Sequence, residues 1–280
     1  MSEAYLLVSH GSRDPRPGIA MQELARLLYN RLQDKFYADD SSPGLYENLV
    51  GVAALEFGPK TLHEQIIEFS QVASSFGCDC IKILPIFLLP GVHVMEDIPS
   101  EVALATEFLQ EKTHQPKIKI DLLPHLGSHP QLLPLLAQLI SLQNSQSLIL
   151  LSHGSRRSGS NSPVEQIAAA LSGVTAYWSV PPSLESRIRE LAKSGHKQIT
   201  IFPYFLFTGG ITDAIASLVE KLKLEFLGEL TEEVESKNSI INLQLAEPLG
   251  ASKELAELIW DLSKNEPHKQ KGEIFGERFI

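Results

Sequence analysis

Three side chains able to hold a transition metal, or to move a proton, stand just beyond apolar runs in the first half of the chain. His10 follows Tyr5–Val8 in LLVSHGSR, Glu56 follows the run that ends at Leu55, and His93 follows Ile81–Phe87 in LPIFLLPGVHV. Each run is rich in Ile, Val, Leu or Ala and reads as a buried strand. In an open parallel sheet the loops beyond the strand C-termini hold the ligands, so all three side chains belong on one edge. Two imidazoles and a carboxylate suit Fe2+, Co2+, Ni2+ or Zn2+ better than Mg2+ or Ca2+. A neutral imidazole there can equally accept a proton.

The chain then repeats itself. LLVSHGSR (6–13) returns as LLSHGSR (150–156), and LPIFLLPGVHV (84–94) is echoed by FPYFLFTGGIT (202–212). A third pair is HLGSHPQLLPLLAQLI (125–140) against PLGASKELAELIWDLS (248–263). Three matches in one order indicate a duplicated unit. Aligned on Ile66 and Ile188, Glu56 falls opposite Trp178 and His93 opposite Ile211, while His153 matches His10. The full His–Glu–His set therefore survives once, which implies a single active site.

Strands are expected at Tyr5–Val8, Val50–Leu55, Ile81–Phe87 and Ile118–Leu123, with helical periods at Gly18–Gln33, Thr61–Phe76 and Glu96–Lys112. The second half gives strands near Leu148–Leu151, Val174–Trp178, Ile199–Phe205 and Ile240–Leu245. Its helices are expected near Ser162–Leu171, Ser183–Ser194, Asp213–Leu227 and Ser252–Ser263. Alternation of strand and helix implies parallel sheets covered on both faces. The expected division is an N-terminal domain at 1–144 with the metal site, a degenerate repeat at 145–264, and a polar tail at 265–280. The boundary is expected in the polar stretch near Gln143–Ser147.

Composition narrows the class. Of 280 residues, 43% are hydrophobic and 21% charged, enough to bury a core and too mixed for disorder. A net charge of −10 argues against nucleic-acid and anionic-membrane partners. No apolar run approaches the roughly 20 residues needed to span a bilayer. Two cysteines one residue apart, Cys78 and Cys80, read as reduced core residues, and no basic leader precedes the first strand, so a cytoplasmic setting is expected. The histidines at 63, 114, 125, 129, 196 and 268 read as surface or loop residues. Arg13, Arg16, Arg156 and Arg157 are loop cations able to bind carboxylates.

The segments LLVSHGSRDPR and FLLPGVHVMEDIP, with Glu56 between them, resemble the class II tetrapyrrole chelatases, and specifically the long two-domain sirohydrochlorin chelatases. The resemblance runs to about Lys264. It implies two tandem, pseudo-symmetric, flavodoxin-like (chelatase-like) α/β domains, each a four-stranded parallel sheet flanked by helices. It implies insertion of Fe2+ (toward siroheme) or Co2+ (toward cobalamin) into sirohydrochlorin, with two protons released and no organic cofactor. The family's metal-binding histidines fall on His10 and His93 and its acidic residue on Glu56, which makes these three the catalytic set. Ser12, Arg13, Arg16 and His153 are the expected substrate contacts, the arginines offsetting substrate carboxylates on an acidic chain. A monomer is expected, since the duplication itself supplies a cleft between halves. Two other readings stay open: a non-catalytic tetrapyrrole or metal carrier, and a phosphoryl-transfer enzyme with a phosphorylated loop histidine. Ser9 and Ser152 precede the His-Gly pairs where the usual histidine-phosphatase pattern has Arg, which disfavours the last.

Overall fold

The computed structural model describes residues 3–38, 49–111, 118–141, 147–232 and 241–264. The stretch 143–146, the tail 265–280, His114 and His268 lie outside the described residues.

Two four-stranded parallel sheets carry the architecture. The first has strands β1 (Glu3–Ser9), β2 (Leu49–Ala54), β3 (Cys80–Pro85) and β4 (Lys119–Leu122) in the order β2-β1-β3-β4. The second repeats that order with β6-β5-β7-β8, from β5 (Ser147–Ser152), β6 (Val174–Tyr177), β7 (Gln198–Pro203) and β8 (Asn242–Leu245). Helices α1 (Pro15–Ala38), α2 (Leu62–Ser75), α3 (Ile98–Glu111) and α4 (Leu132–Ser141) accompany the first set of strands. Helices α5 (Ser162–Ala170), α6 (Leu184–Lys193), α7 (Gly210–Glu232) and α8 (Lys253–Lys264) accompany the second. The expected two-sheet α/β fold is what the structure shows. Helix α4 is the element the apolar run QLLPLLAQLI did not announce, because near-continuous leucines carry no clear period.

The strands are apolar on both faces, and their residues divide strictly by parity. On β1, Ala4, Leu6 and Val8 enter an outer core with Leu62, Ile66 and Ala73 of α2 and Ile98, Val102 and Ala105 of α3. Tyr5 and Leu7 turn the other way, into a core shared by both halves. On β5, Ile149 and Leu151 meet α6 and α7 residues such as Ile188, Ile215 and Val219, while Leu148 and Leu150 join the shared core. The layers thus run helices, sheet, helices, sheet, helices. Cys78 and Cys80 are buried as expected, and burial followed by the Asp121 carboxylate pushes the Cys80 thiol up to about 12.

The central layer is where the halves exchange partners. Helix α8, the last of the described helices, packs chiefly on α1 of the first half and also meets β3. Leu255, Ile259 and Trp260 lie in the shared core beside Leu24, Leu28 and Leu32. Polar ties fix the register: Lys82 on β3 donates to the Ser263 carbonyl at 2.7 Å and pairs with Glu3 at 2.7 Å, and Arg31 pairs with Glu257. A lysine at the last carbonyls of a helix answers both the unpaired acceptors and the negative end of the dipole. Leu139 of α4 in turn borders a cavity of about 240 Å3 with Phe202, Leu245 and Leu249 of the second half.

Truncating Ile259, which is fully buried, to alanine is expected to cost about 2–5 kcal/mol. In chemical denaturation the whole molecule should shift as one transition. Two transitions, of which only one moves, would show that α8 does not couple the halves.

Candidate metal centre

The first and second strands keep pairing beyond their last residues. The Leu55 N–H donates to the Ser9 carbonyl and the Glu56 N–H to the His10 carbonyl, both at 2.9 Å. This extra rung sets His10 beside Glu56, with His10 Nε2 3.9 Å from Glu56 Oε2. Gly11 makes the approach possible: at φ +91° it holds a conformation costly for other residues, and an added Cβ would lie 2.0 Å from the Glu56 carbonyl oxygen. On the other flank Gln65 clamps the end of β2. Its Oε1 accepts from Ala54 N–H at 3.0 Å, and its Nε2 donates to the Ala54 and Lys60 carbonyls at 2.8 and 3.0 Å. The Glu64 carboxylate accepts the Thr61 N–H at 2.9 Å and starts α2 immediately after.

His93 arrives from β3, not from a loop as the sequence suggested, but from the first turn of a helix. Residues His93–Asp97 form a π-helical turn that runs straight into α3, because Pro90-Gly91 ends the preceding loop and Gly91 O already accepts from Val94 and Met95 N–H. Single π turns occur often at functional sites, since the extra residue re-aims side chains. Here it places Asp97 under the imidazole, with Asp97 Oδ2 2.7 Å from His93 Nδ1.

The ligand atoms of His10, Glu56 and His93 all lie within 4.8 Å of one another. The His10 and His93 rings meet edge to face, with centroids 4.8 Å apart. Both imidazoles are oriented alike. His10 Nδ1 lies 3.2 Å from the Gly11 carbonyl, an acceptor only, so the neutral ring places its proton on Nδ1 and keeps the lone pair on Nε2. His93 Nδ1 donates to Asp97 in the same sense. A histidine that donates its second ring N–H to a carbonyl or carboxylate is the usual arrangement of a metal ligand. Side-chain exposures of 46% and 45% for His10 and Glu56 leave the group open to solvent. Such a set can take a divalent ion on three atoms, keep its other positions free, and accept protons through the carboxylate.

Asp97 is the residue that sequence reasoning missed, and the four-residue spacing from His93 in HVMED was its available signal. Phe57 is another. It sits at φ +60°, with its ring 6.0 Å from that of His10 and the Arg13 guanidinium 5.3 Å above it.

The remaining candidates scatter. Ser12 Oγ accepts from Asp14 N–H at 3.0 Å and shapes the loop. Arg16 is already committed, bonding Asp14 at 2.6 Å and, across the cleft, Asp213 of α7 at 2.6 Å. Hydrogen bonds from Arg16 hold the Asp14 carboxyl down at about 2 and that of Asp213 below its usual range. This tie between halves is therefore present above the ordinary carboxylate range and is lost as pH falls toward 2. His153 is exposed at the second sheet's edge and lines a cavity between the halves that His10 does not line.

The ladder also corrects the internal alignment. Trp178 N–H bonds the Ser152 carbonyl and Ser179 N–H the His153 carbonyl, so the counterpart of Glu56 is Ser179 and not Trp178. The segment between strand and helix is one residue shorter in the second half, which an alignment anchored on the helices absorbs silently. Ile211 does stand opposite His93. Among the other histidines, His129 is buried and not on the surface; burial lowers its pKa, and its Nδ1 accepts from Gln131 N–H.

Two tandem parallel sheets with an exposed His–Glu–His cluster at one sheet edge define a two-domain α/β protein with one metal-type cluster among the described residues. The CbiX family model matches residues 4–142 and again 147–266. The chain belongs to the CbiX family, in two consecutive copies. Among known relatives, a sirohydrochlorin ferrochelatase of Priestia megaterium is 24% identical over 162 residues, 53% of this chain and 59% of that protein. The chain thus spans less than two thirds of that relative. A sirohydrochlorin cobaltochelatase of the same organism is 24% identical over 239 residues, 80% of this chain and 70% of the relative. Solved structures of similar fold include SirB from Bacillus subtilis with Fe3+, at TM-score 0.64 and 21% identity, covering 94% of this chain and 95% of that one. The sirohydrochlorin chelatase SirB from Bacillus subtilis subspecies spizizenii in complex with cobalt follows at TM-score 0.62 and 21% identity, covering 94% of each chain.

Replacing Asp97 by alanine is expected to weaken Co2+ binding by about 10–100-fold. Titration of the cobalt absorption bands measures this. An unchanged affinity would remove Asp97 from the metal centre.

Proposed function

We propose that this protein inserts Fe2+ or Co2+ into sirohydrochlorin, releasing two protons, with the metal as substrate and no organic cofactor. The observation that carries the reading is the convergence of one ligand atom each from His10, Glu56 and His93 within 4.8 Å, with each imidazole held through Nδ1 from behind. The names of the relatives support the substrate class.

The chemistry follows from the geometry. His10 and His93 hold the incoming ion through Nε2, and Glu56 completes the shell or takes a pyrrole proton as the ion leaves. Three ligands on an exposed rim bind loosely, which transfer requires, because a closed four-ligand site would keep the metal. The macrocycle lies in the cleft between halves, with Phe57 offering an apolar surface beside the ion. Arg13 is the arginine of this loop available to a substrate carboxylate, since Arg16 serves the tie to Asp213. His153 faces the substrate and takes no part in metal binding. Fe2+ and Co2+ accept the same donors, so the choice between them rests on supply. Among the described residues no helix is long and apolar enough to cross a membrane.

Anaerobic incubation with sirohydrochlorin and either ion, followed by absorbance against a protein-free blank, tests the proposal. Many products per chain are expected. Saturation at one product per chain would make the protein a carrier. His10→Ala and His93→Ala should each lower the rate by about 100-fold or more, and His153→Ala by less than about tenfold. Equal losses at His10 and His153 would overturn the single site.

A further inference from the structure

The second HGSR copy differs from the first in ways that a mere relic would not require. The segment between strand and helix grows from five residues (10–14) to nine (153–161). Its first turn is otherwise kept. Ser12 Oγ accepts from Asp14 N–H at 3.0 Å, and Ser155 Oγ accepts from Arg157 N–H at 3.1 Å. Arg157 therefore stands where the first copy has Asp14, and the charge is reversed. Asp14 is tied to Arg16, whereas the Arg157 guanidinium has no ion pair among the described residues.

This longer loop forms one wall of a cavity of about 470 Å3 between the halves. Val92, Met95 and Glu96, which flank the metal ligand His93 in sequence, form the other wall. The cavity volume suits a small-molecule fragment. One side is apolar, with Met95 63% exposed. The other holds Arg157, His153 and Ser152. Ser152 is only 2% exposed, and its Oγ has no hydrogen-bond partner among the described residues. Glu96, the one acid in the lining, repels an anion and confines it to the Arg157 wall.

We propose that this cavity receives one carboxylate-bearing arm of the macrocycle, with the Arg157 guanidinium as its charge partner. The proposal rests on the tetrapyrrole reading above. With the ring centred over His10 and His93, the ring edge lies against Val92 and Met95 and its acidic arm reaches the far wall. The degenerate repeat thus acts as a positioning device for substrate, having exchanged metal ligation for anion recognition.

The test is the Kd of metal-free sirohydrochlorin for the full chain, read by quenching of tryptophan fluorescence, so that turnover is not needed. Arg157→Gln is expected to raise Kd by about tenfold and Arg157→Glu by more. Glu96→Gln should lower it, and Co2+ affinity should stay unchanged in Arg157→Gln. Lys193→Glu, at the end of α6 and outside the cavity, makes the same charge change and should leave Kd near the original value. A Kd within about twofold of the original in both Arg157 variants would overturn the proposal. So would equal weakening by Arg157→Glu and Lys193→Glu, which would show a diffuse field. A chain that binds sirohydrochlorin without turning it over would overturn the chelatase reading alone.

Discussion

The rung from the Glu56 N–H to the His10 carbonyl is the constraint on which the rest depends. It continues sheet pairing one step into two loops that would otherwise diverge, and it brings an imidazole and a carboxylate to within 3.9 Å of each other through the backbone. The arrangement needs a backbone without Cβ at Gly11, a clamp on β2 from Gln65, and a helix that begins promptly at Leu62. His93 is then supplied by a separate device, the π turn, whose own carboxylate fixes the ring. Two independent backbone features therefore converge on one point. Neither uses the side chains that do the chemistry, so ligand atoms stay free for the ion.

Behind that edge, the shared core keeps the two halves in fixed relation. Because α8 covers the first sheet, the wall carrying His93 and the wall carrying His153 are held by one continuous apolar layer. The Arg16–Asp213 tie closes the same relation at the mouth of the cleft. The candidate site is thereby built on a frame with an open front, and its exposure is compatible with order.

Much of this was legible in the residues. Strand positions followed from apolar runs, the duplication from LLVSHGSR and LLSHGSR, and the sheet edge from the position of His10, Glu56 and His93 after those runs. What escaped has physical reasons. The partner of Glu56 was misassigned to Trp178 because a one-residue difference in loop length cannot be located from helix positions, whereas hydrogen bonds to the carbonyls of residues 152 and 153 locate it at Ser179. The role of Asp97 was hidden because the helical period read from the sequence starts at Glu96, which leaves His93 outside the turn that sets it against Asp97. The crossing of α8 was invisible, because an amphipathic helix declares which face is buried and not which sheet buries it.

That crossing has a consequence for how such a molecule can be divided. Neither repeat is a closed structural unit: removed from its neighbour, the first would present Leu24, Leu28 and Leu32 of α1 bare, and the second would carry α8 without α1 to pack on. The short span between Ser141 and Ser147 therefore does the work of a tether, raising the local concentration of one repeat around the other far above what free pieces could reach. A single repeat would satisfy its open face most directly on a second copy of itself. A gene of half this length would then encode a symmetric, strand-and-helix-sharing pair, and fusion would have released one of its two metal centres to change its chemistry while the other was kept.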